Sequence, residues 1–201
     1  MSDKKTVRDE APPPHDEGQF AAICVDVIDL GLNVEKFGEQ PAELKDKTVL
    51  VFRTEAGENG HPREIAQEFT TSMGKKSNMR KFLESWRGKP YTDEEARKNG
   101  IPLDKLDGVG ALLTIAHKTS QKGNAYAVIQ AIVPLHKKMQ DAMPSAAGYK
   151  RADFWAKKKD EYAKAAAAFQ PKATGANSGG AAQFADYPEA VENEGDDDLP
   201  F

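Results

Sequence analysis

The stretch "QFAAICVDVIDL" (19–30) places the tightest constraint on the fold. Ile23, Val25 and Val27 fall two apart and Asp26 and Asp29 break the apolar run, which is the period of a half-buried strand. The pattern runs past Gly31 toward Phe37, with a bulge expected at the glycine. "KTVLVFRTE" (47–55) and "REIAQEFTT" (63–71) are two further β-branched and aromatic runs, and Gly57, Gly60 and Pro62 between them signal a hairpin turn. Three successive strands of this kind predict an antiparallel meander.

The period then changes. In "SNMRKFLESWRG", Ser77 is placed to cap, and Met79, Phe82, Leu83 and Trp86 recur at helical spacing on one face. Trp86 therefore reads as core, as do Phe20 and Phe82. Thr92 and Glu95 form a capping-box pattern for a shorter helix ending at Gly100. "ALLTIAHKTSQKGNAYAVIQAIVPL" supplies two strands, about 111–117 and 125–133, around a loop containing Gly123. The order β-β-β-α-β-β matches a five-stranded OB-fold barrel, a Greek-key architecture that binds oligonucleotides or oligosaccharides. The fold class expected is mainly β with α insertions.

Four segments follow: a charged, proline-containing arm over 1–18, the barrel over 19–139, a helical extension over 140–170, and a disordered linker and tail over 171–201. In the extension Trp155, Tyr162 and Phe169 are spaced by seven, and residues 149–169 hold six basic side chains against three acidic. Such a helix either packs its aromatics on the barrel or adds a second contact for an oligonucleotide. The middle of the chain is mildly basic, with 18 basic and 16 acidic residues over 19–139, whereas 140–201 carry 7 and 11.

Several chemistries lack their motifs. Cys24 is the only cysteine, so no intrachain disulfide and no cysteine-based zinc site are expected, and a reducing, cytoplasmic setting is the default. No run approaches the ~20 apolar residues of a membrane span, and the first 18 residues lack the apolar segment of a signal peptide. His15, His61, His117 and His136 have no ligand spacing, and no nucleophile elbow or P-loop is present. Asp26 and Asp29 read as solvated strand positions rather than an acid/base pair. No enzyme activity, metal or cofactor is expected.

The chain ends in "GDDDLPF". An acidic run closed by an apolar plug cannot build a core and suits presentation to a partner. It resembles the acidic tip of bacterial single-stranded DNA-binding proteins. That resemblance implies that Asp196, Asp197, Asp198, Leu199, Pro200 and Phe201 recruit replication, recombination and repair proteins, the terminal ring entering an apolar pocket with a basic rim. A second resemblance covers more of the chain. "KSNMRKFLESWRGKPYT" (76–92) and "IAHKTSQKGNAYAVIQAIVPL" (115–135) are similar to phage and prophage proteins thought to bind single-stranded DNA. The barrel departs from the bacterial housekeeping proteins, so their tetramer interface and stacking residues do not transfer; a homo-oligomer stays open.

Binding any single-stranded sequence needs aromatic faces for bases and cations for phosphates. The expected DNA contacts are Lys36 and Phe37 at the first turn, Arg53 and Phe69 on the second and third strands, Lys75 and Lys76 before the helix, and Lys118, Lys122 and Tyr126 around the last hairpin. Neighbouring strand residues point to opposite faces, so at most one of Phe52 and Arg53 can face DNA. Lys75, Lys76, Arg80 and Arg87 also fit a merely solvated helix face. The near-neutral barrel leaves two rivals: an adaptor or decoy that borrows the tip with little DNA affinity, and an OB-type module for RNA or a saccharide.

Overall fold

The computed structural model describes residues 14–36, 38–56, 62–96 and 100–170. Five strands form: β1 (Gly18–Glu35), β2 (Glu43–Ala56), β3 (Pro62–Thr70), β4 (Gly110–Thr119) and β5 (Ala125–Pro134). Helix α1 (Asn78–Arg87) lies between β3 and β4, and α2 (Asp153–Ala168) follows the sheet; Leu103–Leu106 and Lys137–Ala142 are short 3₁₀ turns. All neighbouring strands are antiparallel, in the order β3-β2-β1-β4-β5. The protein is thus mainly β, one five-stranded sheet with a few helices. The expected closed barrel is corrected: β3 and β5 are the two edges of the sheet, with no ladder between them.

β1 is long because it serves two neighbours. Gly18–Ile23 pair with β4, and Ala22–Glu35 pair with β2. Its register with β2 shifts between Cys24 and Asp26 and again between Asp29 and Gly31. The second shift is the expected glycine bulge. Gly31 takes φ 75° and its N–H donates to Asp29 Oδ1 at 2.8 Å, a conformation that a side chain at this position would strain.

Each face of the sheet has its own apolar layer. On the inner face Cys24, Leu50, Phe52, Leu113 and Ile115 pack under Met79, Leu83 and Trp86 of α1. Trp86 is core as expected: it meets Phe52 edge-on at 5.2 Å, and its Nε1–H donates to the Gly110 carbonyl at 2.9 Å. Burial pushes the Cys24 thiol up to about 12, which keeps it neutral. Helix α1 starts as its sequence predicts, with Ser77 Oγ accepting from the Arg80 N–H, and stops at Gly88 in the left-handed conformation. The capping box also forms, with Thr92 N–H donating to Glu95 Oε2 and Glu95 N–H to Thr92 Oγ1. Residues 93–96 make a helical turn, and 97–99, over which the expected helix would run on to Gly100, lie outside the described residues.

The outer face holds Ile23, Val25, Ile28, Leu30, Val49 and Val51, covered by Met143, Tyr149, Trp155 and Tyr162. Trp155 and Tyr162, two of the three aromatics spaced by seven, therefore serve packing, whereas Phe169 follows the end of α2 and is not part of this layer. Polar links fix the cover. Arg151 and Tyr149 bond Asp26, Lys159 bonds Asp29, and Lys158 and Tyr162 bond Glu68. Asp26 is accordingly not a solvated position; its side chain is 11 % exposed.

The arm also needs correction at its end. His15 is buried, with Nε2 2.7 Å from Thr54 Oγ1, and its carbonyl oxygen lies 2.6 Å from His117 Nε2. Residues 14–18 thus belong to the folded body, and residues 1–13 lie outside the described ones.

Candidate nucleic-acid interface

The two edges of the sheet face one another across a groove of about 750 Å³. β3 contributes Gln67 and Phe69, α1 contributes Asn78, Lys81, Phe82 and Ser85, and β4 and β5 contribute the stretches 116–118 and 128–133. Lys81, His117 and Lys118 are its ionisable residues, and none of its lining residues is a carboxylate. A smaller groove of about 540 Å³ adjoins it through shared Gln67, Phe69 and Asn78, and carries Lys76 and Lys47 as well as Glu35 and Glu68.

Of the predicted residues only Phe69 and Lys118 line the larger groove. Lys118 stands directly opposite Tyr126 in the β4–β5 ladder, which sets their Cβ atoms about 5 Å apart on one face. Tyr126 is 45 % exposed, and Lys122 lies exposed in the intervening turn. An exposed aromatic ring opposite a cation supplies both a stacking surface and a phosphate partner, with the Glu17 carboxylate close by on the His117 N–H.

Arg53 and Phe69 are placed otherwise than expected. Arg53 is buried on the outer face, where its guanidinium donates to Glu64 Oε1 at 2.9 Å and to the carbonyls of Ser145 and Ala147. Its charge is consumed in fastening the chain that leads to α2. Phe69 is 7 % exposed and packs on Phe82 at 4.8 Å, so its face is covered and little more than an edge lines the groove. Phe52, its companion in the inner layer, is fully buried.

Lys75 is exposed and pairs with Asp93 at 2.9 Å, while Lys76 and Lys36 are exposed with no ion pair among the described residues. Arg80 and Arg87 are structural rather than a solvated face. Arg80 is buried, bonding Glu84 and the carbonyls of Met73 and Tyr91. Arg87 bonds Glu95 and lies over the Tyr91 ring at 4.4 Å. The Glu95 carboxyl is held down to about 2, first by the Arg87 bond and then by the Thr92 N–H. Phe37 and the tip residues Asp196, Asp197, Asp198, Leu199, Pro200 and Phe201 lie outside the described residues.

Lys81, Asn78 and His117 were not predicted. Lys81 sits on the polar side of the α1 stripe, and nothing in its local sequence says that this side borders a groove between strands 3 and 5. A third cavity, about 680 Å³, lies at the C-terminal end of α1 and is largely apolar, lined by Leu83, Trp86, Leu106 and Met143 among others.

Among the described residues no helix is long and apolar enough to cross a membrane, and no group of three or more His, Cys, Asp or Glu is placed to hold a metal ion. No protein-family model matches the chain, and no curated protein is significantly similar to it.

Proposed function

We propose that this protein binds single-stranded DNA with little base preference, along the groove between β3 and β5. The observation that carries the reading is the groove itself. It is open, it combines Lys81, His117 and Lys118 with aromatic edges, none of its lining residues is a carboxylate although Glu17 bonds the His117 N–H beside it, and Tyr126 stands opposite Lys118 on the neighbouring strand. The strand order 3-2-1-4-5, with a bulged first strand shared by both halves of the sheet and a helix before the fourth strand, is compatible with an OB-type arrangement. Closure would need only that the two edges meet.

The usual OB ligand face, the outer side of strands 2 and 3, is not free in this chain. Val49, Val51 and Arg53 of β2 and Glu64 and Glu68 of β3 are occupied by α2 and the segment before it. Uncovering them would expose aliphatic side chains worth roughly 1.5–3 kcal/mol each when buried. A stacked base returns about 1–3 kcal/mol. DNA therefore takes the groove, and the helix stays.

The "DDDLPF" tip supports a second role, recruiting replication, recombination and repair proteins in a bacterial host cytoplasm during phage DNA metabolism. The rival reading, an adaptor or decoy with little DNA affinity, draws on the same tip and on the covered strand 2–3 face. Anisotropy of labelled oligo(dT) at two salt concentrations separates them. The DNA-binding reading expects tight binding at low salt and a log–log slope of about −0.7 per phosphate neutralised. No binding at low salt would leave the adaptor.

A further inference from the structure

Phe154 is the most exposed large apolar side chain among those described, at 59 %. It opens α2 and takes no part in the apolar layer beneath that helix. Its ring is nevertheless held, edge-on against Trp155 at 5.0 Å and with Lys158 Nζ 5.9 Å from its centroid. A fixed, exposed ring beside a cation has the form of a stacking surface rather than of core.

Its position on the helix follows from two ion pairs. Lys158 reaches Glu68 on β3 at 2.5 Å, whereas Lys159 reaches Asp29 on β1. Phe154 lies four residues before Lys158 and so shares the flank of α2 that overlooks β3. Glu68 also lines the smaller groove, which is continuous with the β3–β5 groove through Gln67 and Phe69. A contiguous path thus runs from the groove, across Glu68 and Lys158, to Phe154.

Charge permits a polyanion on that path. The two outward carboxylates of β3 are neutralised, Glu64 by Arg53 at 2.9 Å and Glu68 by Lys158. Lys157, one helical turn beyond Phe154, is exposed and has no ion pair among the described residues. Asp153 and Glu161, four residues before and after Lys157 on the same exposed helix flank, are the acids that border it.

We infer that Phe154 is a second base-stacking platform, engaged by a DNA strand that leaves the β3–β5 groove over β3, with Lys157 meeting the adjoining phosphate. This rests on the DNA-binding reading above. It makes α2 both a cover for the outer face and the outer end of the binding path.

The test is binding of labelled oligo(dT) of about 6 and about 16 nucleotides to the full chain, as wild type, Phe154→Ala and Phe154→Trp. Phe154→Ala should weaken the longer oligonucleotide about 5- to 150-fold, the equivalent of one stacked base, and leave the shorter one and the melting temperature unchanged. Phe154→Trp should restore the loss. Wild-type affinity of Phe154→Ala for the longer oligonucleotide overturns the platform while leaving the groove reading intact. Failure of the wild type to bind either length overturns the groove reading and the platform with it.

Discussion

Arg151 grips Asp26 through two bonds, Nε to Oδ2 at 2.7 Å and Nη2 to Oδ1 at 2.6 Å, joining the start of the C-terminal helix to the middle of the first strand. Tyr149 O–H adds a third bond to the same carboxylate at 2.9 Å. Burial opposes the charged form of Asp26, but the bonds from Arg151 and Tyr149 outweigh it and hold the carboxyl below its ordinary 3.8. Stability from this cluster is therefore complete above that value and is lost as pH falls through the depressed folded value. Asp26→Asn should cost about 1–2 kcal/mol, a modest figure because Arg151 is 53 % exposed. Urea unfolding of wild type and variant at neutral and acid pH checks this; the gap should narrow in acid.

The same cover should loosen at alkaline pH. Burial raises Tyr149 first, with the Asp26 bond and charge adding to it, and burial followed by the Glu68 bond raises Tyr162. Both folded values stand above the ordinary 10.0. Their contribution is present in full below pH 10 and is lost as pH rises through the raised values. Phenolate absorbance should show Tyr149 and Tyr162 ionising late, alongside Tyr91, which burial also raises, and Trp155 fluorescence should change with the first two.

Core and surface aromatics should separate cleanly. Trp86→Ala and Phe69→Ala should each lower stability by about 3–5 kcal/mol, since both side chains fill the inner layer. Tyr126→Ala should leave unfolding unchanged and cost about 1–3 kcal/mol of oligo(dT) binding. Thermal melts and anisotropy on the same preparations decide; a Tyr126 variant that binds normally removes that ring from the interface.

The groove cations should reveal themselves through salt. Lys81→Ala and Lys118→Ala should each weaken oligo(dT) binding at all base compositions and flatten the salt slope by about 0.7. Arg53→Ala should instead lower stability, because it leaves Glu64 and the Ser145 and Ala147 carbonyls without their donor. An Arg53 variant that folds normally and loses DNA would reverse that assignment.

Phe201→Ala should abolish retention of tip-reading bacterial repair proteins while leaving oligo(dT) affinity unchanged, because it removes the terminal ring and keeps every aspartate. Equal recovery of those proteins by both forms in a pull-down would mean that the tip has no recruiting role.

Local chemistry was enough to place the elements. Alternation marked the strands, the stripe from Met79 to Trp86 marked α1 and its buried face, Ser77 and the Thr92–Glu95 pair marked the helix starts, and Gly31 marked a bulge, because each depends on contacts within a few residues. The availability of a charge or a ring depends on contacts far along the chain, and there the tertiary structure decided. Arg53 reads as a free cation until residues 145–147 fold over it, Asp26 as a solvated acid until Arg151 arrives 125 residues later, and His15 as part of a loose arm until Thr54 takes its ring nitrogen. Lys81 gains its place in a groove only because the two edges of the sheet, more than fifty residues apart in sequence, come to face one another. Periodicity tells which way a side chain points; which distant segment stands in front of it is set by the packing of the whole sheet.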